Sequence, residues 1–219
     1  LGISGPFFSA FAETDSVMIR KFYSEALVEG ESYDNLRHLC KEIGPRLTGS
    51  ENAEKAIRWT KKIMESYELD SVWLQPVMVP KWERGSKEVA KILGGKGSVP
   101  VKVTSLGNSF GTGKRGITGE VIEVKSLEEL TARGKEVEGK IVFINQPMPL
   151  DKINTFESYS ETGAIRFLGP KEAAKHGAIG VIVRSLSTGI TDFPHTGTTD
   201  YGLNVPKIPA VAISTKDAE

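Results

Sequence analysis

The stretch Lys171-Glu-Ala-Ala-Lys-His-Gly-Ala-Ile-Gly-Val-Ile-Val-Arg-Ser185 decides the fold of this chain. Its residues 172–175 are good helix formers, and Gly177 can end that helix in the left-handed conformation. Residues 178–183 are then apolar and largely β-branched, which is typical of a strand covered on both faces. Other segments must pack around this strand, and three are suitable: Thr118–Val124, Lys140–Asn145 and Pro209–Ser214.

Length and composition exclude several classes of protein. The 219 residues suffice for one large domain or two small ones. The formal net charge is zero with 26% charged residues, so nothing predicts a nucleic-acid or membrane-surface partner. No apolar run approaches the roughly 20 residues that cross a bilayer. Cys40 is the only cysteine, which rules out an intramolecular disulfide and a cysteine-based zinc site within the chain.

The first residues differ in character from the rest. Three phenylalanines lie close together in Leu1–Ala12 without helical or strand periodicity, and Ala10-Phe11-Ala12 has the small-x-small form of a signal-peptidase site. A basic segment and a full apolar core of a signal peptide are missing. Residues 1–14 are therefore either the remnant of an export signal or an aromatic arm that packs on the domain.

Three helices and one strand are predicted up to residue 80. The first helix covers 15–29 with Thr14 or Asp15 as its cap, the second runs from Ser32 or Tyr33 to Gly44-Pro45, and the third extends from the cap Ser50 to about Tyr67. Alternation in Val72–Met78 predicts a strand that Pro80 ends. The apolar stripe of the third helix, which includes Ile57 and Met64, is expected to be buried.

Two polar or reactive side chains of the second helix have ordinary structural interpretations. Cys40 lies on the predicted apolar stripe and is expected to be a small core residue. His38 is expected to be solvated or to cap the helix.

Short strands between glycine turns dominate the remaining sequence. They are predicted at Glu88–Leu93, Val99–Leu106, Ile117–Val124, Lys140–Asn145, Ala178–Arg184 and Pro209–Ser214. This spacing favours a small sandwich or open barrel. Ser126-Leu-Glu-Glu129 is a capping box that opens a short helix, residues 156–176 contain another, and Ser214 caps a helix that begins at the last residues. We expect from this last feature that the chain is a piece of a longer protein.

Motifs for catalysis or cofactor binding are not evident. His195 has Asp192 and Asp200 nearby, but a zinc site needs at least three converging ligands, and one loop is a poor source of them. The run Gly107–Lys114 is glycine-rich but has one residue too many for a P-loop, and Arg115 replaces the hydroxyl residue that binds magnesium. We interpret it as a connection between strands.

A combination of motifs resembles one peptidase family. The motifs are Tyr33-x-x-Leu-x-x-Leu-Cys-Lys-x-Ile-Gly44, Arg46-Leu-Thr-Gly-Ser50, Val72–Pro80 with Trp82 and Arg84-Gly85, Gly139–Phe143, Val183–Ser185, Pro194–Gly197 and Ile208–Ser214. Together they resemble the amino-terminal part of the plasma glutamate carboxypeptidase (carboxypeptidase Q) type of metallopeptidases, from about Asp15 to the last residue.

The resemblance implies an α+β fold with two parts. Residues 15–80 would be the opening helices and one strand of an α/β peptidase domain, 81–214 an inserted β-rich protease-associated domain, and 215–219 the start of the return into the peptidase domain. It also implies export from the cytoplasm and two zinc ions in the parent enzyme. The family's zinc ligands and catalytic glutamate lie beyond this stretch, so the chain itself is expected to hold no zinc and to be inactive alone.

What remains for this chain is the role of the inserted module. By resemblance, such a module lies beside the active-site cleft, limits which peptides enter and packs on the remainder of the peptidase domain. Its substrate-facing candidates come from residues 108–113 and 193–201; they are Asn108, Phe110, His195, Thr196, Thr198 and Tyr201, with Thr199 beside them. For each of them an ordinary turn residue is the alternative.

A second hypothesis is a stand-alone protease-associated module that binds a protein or peptide partner. The helices of residues 15–67 argue against it, because a free module does not need part of an α/β layer. If that layer is incomplete, its exposed apolar face predicts self-association.

Overall fold

The computed structural model describes the backbone of residues 7–95 and 97–219 and the side chains of residues 14–95 and 97–219. The chain divides into two compact units between Glu83 and Arg84. The sequence-based boundary near residue 80 lies close to this division. The two units are described separately.

Helices make up the regular structure described in the first unit. They are α1 (Phe7–Val28), α2 (Ser32–His38), a π-helix (Leu39–Ile43) and α3 (Glu51–Glu65). The side chain of Ser50 accepts a hydrogen bond from the Ala53 amide at 3.2 Å, which confirms Ser50 as the cap of α3. Gly44, with φ of 79°, ends the π-helix as predicted.

Helix α1 begins earlier than predicted. It already includes residues 7–14, so Thr14 and Asp15 lie inside the helix and the predicted cap is wrong. Nothing in residues 7–15 breaks a helix, since neither proline nor glycine occurs there. The expected aromatic arm is therefore partly helical, while its residues 1–6 lie outside the described part of the chain.

The first unit has no core among its described residues. No side chain of residues 14–83 is buried, and the expected buried face of α3 is open, with Ile57 46% and Met64 42% exposed. The predicted strand at Val72–Met78 is also wrong, because that segment pairs with no neighbour in the described residues. A strand requires a partner for its backbone groups, and an amphipathic face requires a layer to cover it.

Cys40 and His38 differ from their predicted environments. Cys40 is exposed, and His38 is half-buried with its ring stacked on Trp59 at a centroid distance of 4.6 Å and an interplanar angle of 17°. The prediction assumed 3.6 residues per turn. The wider π-turn that starts at Leu39 breaks this spacing, so the predicted apolar stripe is not continuous through Cys40.

The second unit is built on a five-stranded sheet. Its strands are β3 (Val103–Ser105), β4 (Val121–Val124), β5 (Ile141–Ile144), β6 (Gly180–Arg184) and β7 (Ala210–Ile213), in the order β3-β7-β6-β5-β4. Strands β4 to β7 run parallel to one another, and β3 is antiparallel to β7. The predicted central strand is therefore confirmed as β6, between β5 and β7.

A separate hairpin precedes the sheet. It pairs β1 (Ala90–Gly94) with β2 (Gly97–Val101), and Ile92 lies opposite Val99. The strand predicted at Val99–Leu106 is thus two strands in different sheets. Lys102 separates them, and its amide donates to Asp217 Oδ2 at 2.6 Å rather than to a sheet neighbour.

The predicted sandwich or barrel is replaced by this single open sheet and the hairpin. The connections explain the difference, because parallel strands need long crossovers that usually contain helices. Helix α4 (Leu127–Arg133) with a 3₁₀ turn (Gly134–Val137) joins β4 to β5, and α5 (Thr155–Lys175) joins β5 to β6. The mixed fold of helices and strands agrees with the predicted α+β class.

The core of the second unit lies between the sheet and its helices. Fully buried residues include Val142, Val181, Val183 and Ile165. Helix α5 approaches β5 closely at Gly169, where a Cβ would lie 2.5 Å from Ile144 Cδ1. Gly177 follows α5 with φ of 83°, which confirms its predicted role at the end of the helix.

Two further caps agree with the prediction. Ser126 accepts from the Glu129 amide at 3.1 Å, and Ser214 accepts from the Asp217 amide at 3.0 Å at the start of α6 (Thr215–Ala218). Within the described residues, no helix is both long enough and apolar enough to span a membrane.

Candidate functional site

The two predicted loops lie side by side. Gly107 and Thr198 form an isolated parallel bridge, in which the Gly107 amide donates to Gly197 O at 2.7 Å and the Thr199 amide donates to Gly107 O at 2.9 Å. The side chains of Asn108, Phe110 and Thr198 are exposed around this bridge, Phe110 by 62%. We call these three residues the loop rim.

Asn108 has an unusual backbone conformation within the rim. Its φ of 72° lies in the left-handed region, which asparagine tolerates better than most residues other than glycine. The Ser109 amide donates to Leu106 O at 3.1 Å and closes the turn. The backbone at Asn108 is thus set by a tight turn directly after the buried Leu106.

Thr196 connects the second loop to strand β3 and to helix α5. Its hydroxyl donates to Ser105 O at 2.8 Å and accepts from Arg84 Nη2 at 3.3 Å. Its carbonyl oxygen accepts from Arg166 Nη1 at 3.2 Å. Although the residue is exposed, its polar atoms are used for positioning the loop.

A charged cluster fixes the start of the second unit beside Thr196. Glu88 Oε1 accepts from Arg84 Nη1 at 3.1 Å, from the Ser105 amide at 2.8 Å and from the Ser105 hydroxyl. Burial alone would raise the pKa of Glu88, but the hydrogen bonds from Ser105 and Arg84 outweigh it and lower the pKa to about 2. The carboxylate is therefore ionised at neutral pH, and the cluster is held by charge-assisted bonds.

The backbone amide and the ring of His195 both form hydrogen bonds that hold the loop in place. Its amide donates to Ser185 Oγ at 2.7 Å, and its ring Nδ1 lies 3.1 Å from Leu186 O, which assigns the Nδ1 proton to that contact. Asp192 binds Lys102, and Asp200 Oδ1 accepts from the Gly202 amide at 2.9 Å. In the part of the chain that the structure describes, no three His, Cys, Asp or Glu side chains form a group that could hold a metal ion.

Two predicted residues of this loop are buried. Thr199 is fully buried and donates its hydroxyl to Phe167 O at 3.1 Å. Tyr201 is 2% exposed and donates to Ile208 O, and its burial raises the pKa of the phenol to about 12. The structure therefore places Tyr201 in the hydrophobic core of the second unit instead of at an exposed loop tip.

Sequence reasoning missed the residues that hold the loops in place. Arg166 on α5 is separated from Thr196 by 30 positions, and Arg84 is separated from it by 112. Neither arginine belongs to a local pattern that predicts this meeting. The two arginines come close to Thr196 only through the packing of helix α5 and the antiparallel pairing of β3 with β7.

The curated proteins similar to this chain include carboxypeptidase Q from several animals. No family model matches the chain. Human carboxypeptidase Q is 41% identical over 191 residues, which cover 87% of this chain and 38% of that protein. The carboxypeptidase Q of Bos taurus is 40% identical over the same number of residues and with the same coverage.

Solved structures agree with this result. A peptidase M28 precursor from Shewanella amazonensis SB2B has a TM-score of 0.79 and 31% sequence identity, and the match covers 94% of this chain and 46% of that one. BSAP, a zinc aminopeptidase from Bacillus subtilis, has a TM-score of 0.50 with 21% identity, covers 86% and 39% of the two chains, and shows a shared fold. The chain spans about two fifths of the length of the curated relatives it matches.

Proposed function

The chain belongs to the carboxypeptidase Q-type family of M28 peptidases over the residues that align, and we propose that it is the amino-terminal portion of an exported zinc-dependent peptidase. In this proposal the second unit is a protease-associated module that borders the substrate cleft and limits which peptides enter. The first unit contributes helices to the peptidase domain. The identity of about 40% over 191 residues is the observation that carries the proposal.

The exposure of the first unit supports its assignment to a larger domain. Helix α1 leaves Phe22 66% and Leu27 81% exposed, and residues Val72–Met78 form no strand in the described chain. Apolar side chains on an exposed helix face require a covering layer. The remainder of the peptidase domain is the partner that we propose for them.

Zinc in this proposal belongs to the longer protein. The related B. subtilis protein is a zinc aminopeptidase, and in such enzymes a bound zinc ion would polarise the substrate carbonyl and activate water. Among the described residues no three His, Cys, Asp or Glu side chains converge as zinc ligands, and His38 stacks on Trp59, His195 Nδ1 faces Leu186 O and His176 Nε2 lies 3.3 Å from Glu172. We therefore assign no step of peptide hydrolysis to residues of this chain.

The loop rim supports the role in substrate selection. Asn108, Phe110 and Thr198 are exposed, but the bridge between Gly107 and Thr198 and the bonds of Thr196 fix the backbone beneath them. Exposed side chains on a fixed backbone can exclude a peptide sterically without the entropy cost of ordering a loop. A rim of this kind affects long peptides more than short ones.

The test uses the longer active protein with Phe110→Ala in the rim. We expect the ratio of kcat/KM for an octapeptide to kcat/KM for a dipeptide to change by about threefold to tenfold, which corresponds to about 0.7–1.4 kcal/mol in the transition state. The matched control is Phe156→Ala, since Phe156 is a similarly exposed phenylalanine (78%) in the first turn of α5. An unchanged ratio in Phe110→Ala, Asn108→Ala and Thr198→Ala would refute the gating role.

A further inference from the structure

Arg166 is held in a defined position next to the loop rim. Its Nη1 donates to Thr196 O at 3.2 Å and its Nη2 donates to Tyr159 Oη. The guanidinium carbon lies 5.4 Å from the centroid of the Tyr159 ring, a distance typical of a cation–π contact. The half-buried side chain is therefore oriented by helix α5 on one side and by the loop on the other.

Gly197 provides the space for this guanidinium. A Cβ at Gly197 would lie 2.2 Å from Arg166 Nε and 2.4 Å from Arg166 Cζ. Any larger residue would displace the arginine side chain. The loop is thus shaped around Arg166 directly before the exposed Thr198.

The charge of Arg166 has no carboxylate partner among the described residues. Two arginines elsewhere in the second unit do have one: Arg133 Nη2 lies 2.8 Å from Glu129 Oε1, and Arg184 Nη2 lies 2.5 Å from Glu219 Oε1. Arg84, on the other side of Thr196, is paired with Glu88. The region around Thr196 therefore contains two guanidinium groups and one neutralising carboxylate.

Arg166 also retains hydrogen-bonding capacity. A guanidinium has five N–H donors, and its bonds to Thr196 O and Tyr159 Oη use two of them. Arginine binds carboxylates well because its planar fork matches both oxygens of the acceptor.

We propose that Arg166 binds a carboxylate of a peptide that reaches the loop rim. The carboxylate comes either from the carboxyl terminus of the peptide or from an aspartate or glutamate side chain. This inference rests on the proposed function for the peptide nature of the ligand. Gly197 and Tyr159 are positioning residues in it, because they act through the orientation of Arg166.

The test is an NMR titration of the 219-residue chain at low salt, observed at the backbone amide signal of Thr198, which the original chain and every variant contain. Four probes are used: N-acetyl-Ala-Ala-Ala as the free acid and as its amide, and the amides of N-acetyl-Ala-Glu-Ala and N-acetyl-Ala-Gln-Ala. Arg166→Met is expected to weaken binding of the carboxylate probe by about tenfold or more, the usual range for a charge-assisted bond. Arg115→Met removes an equal charge from another exposed loop and should leave the affinity unchanged.

Gly197→Ala provides a second variant in which every charge is kept. It should displace the guanidinium and weaken the same probe by a similar factor, while the thermal midpoint stays close to that of the original chain. If Arg166→Met folds poorly, the affinity of Gly197→Ala for the carboxylate probe still tests the role of Arg166.

Each outcome distinguishes the source of the carboxylate or overturns the proposal. Binding of the free acid alone supports a peptide carboxyl terminus, binding of the Glu probe alone supports an acidic side chain, and binding of both supports a general carboxylate site. Equal affinity within both matched pairs, acid against amide and Glu against Gln, would overturn it, as would equal affinity of the carboxylate probe for Gly197→Ala and the original chain. Substrate gating is measured separately with Phe110→Ala in the longer protein, so either proposal can fail alone.

Discussion

Replacing Glu88 by glutamine is expected to destabilise the second unit, because this carboxylate joins the entering chain to strand β3. Its Oε1 accepts hydrogen bonds from Arg84 Nη1, from the Ser105 amide and from the Ser105 hydroxyl. Glutamine preserves the size of the side chain but removes the charge. Arg84 would then lose its counter-ion, and the bonds from Ser105 would become neutral and weaker.

The size of the effect follows from the pKa of Glu88. A decrease from 4.5 to about 2 corresponds to about 3 kcal/mol in favour of the ionised folded state. The side chain is 19% exposed, so solvent screening reduces this figure, and we expect Glu88→Gln to cost about 2–3 kcal/mol at pH 7. In a chain of this length that loss lowers the thermal midpoint by about 5–10 °C.

The pH dependence gives the prediction its specific signature. The pKa of Glu88 is lower in the folded state, so its stabilising contribution is complete above about pH 4.5 and is lost as the pH falls towards 2. Thermal unfolding followed by circular dichroism at several pH values should show a large difference between Glu88→Gln and the original chain at pH 7. That difference should shrink steadily below about pH 5.

A surface carboxylate provides the matched control. Glu120 lies 3.3 Å from Lys140 Nζ and its side chain is 75% exposed, so Glu120→Gln should change stability little at any pH. The reasoning about Glu88 fails if its variant unfolds at the same temperature as the original chain at pH 7. It also fails if the difference between the two does not depend on pH between 7 and 3.

Three further predictions test burial in both units. Tyr201→Phe removes the hydrogen bond to Ile208 O and should lower the free energy of unfolding in urea by about 1–2 kcal/mol. The kcat/KM of the longer protein should stay unchanged, and a selective change in kcat/KM would show that Tyr201 contacts the substrate. Gly169→Ala should lower the free energy of unfolding by about 1–3 kcal/mol, because the added Cβ clashes with Ile144 Cδ1. Valine lacks that methyl group, so adding Ile144→Val in a double variant should recover part of this stability, whereas additive losses would contradict the packing. The exposed apolar face of α1, with Leu27 81% exposed, predicts concentration-dependent self-association in sedimentation velocity, and a monodisperse monomer at all concentrations would contradict it.

Local signals predicted the structure well where the interactions themselves are local. The caps Ser50, Ser126 and Ser214 each bond to an amide three residues later, so the sequence contains both partners of the bond. The helix before Gly177 and the strand after it were predicted equally well. The parallel sheet was not predicted, because the spacing of the short strands favours a sandwich or barrel. The length of the crossover through α5 is the feature that indicates parallel strands.

The candidate site was predictable only in part. The loops around Asn108 and Thr198 were identified by composition, and the structure brings them together through Gly107. The buried position of Tyr201 was missed because an aromatic residue between Asp200 and Gly202 has the same local sequence whether its ring points inward or outward. The meeting of Arg166 with Thr196 depends on the packing of α5 and has no local signal at all.

The uneven distribution of burial between the units bears on how the proposed functions can be separated. All fully buried side chains that the structure describes lie in the second unit, and the contacts of the loop rim and of Arg166 lie entirely within residues 84–219. The geometry of the carboxylate site therefore depends on a core that this unit supplies itself. The first unit has no buried side chain among its described residues. The proposed recognition of a peptide carboxylate can therefore be tested on the second unit's own contacts, independently of the proposed peptidase activity of a longer protein.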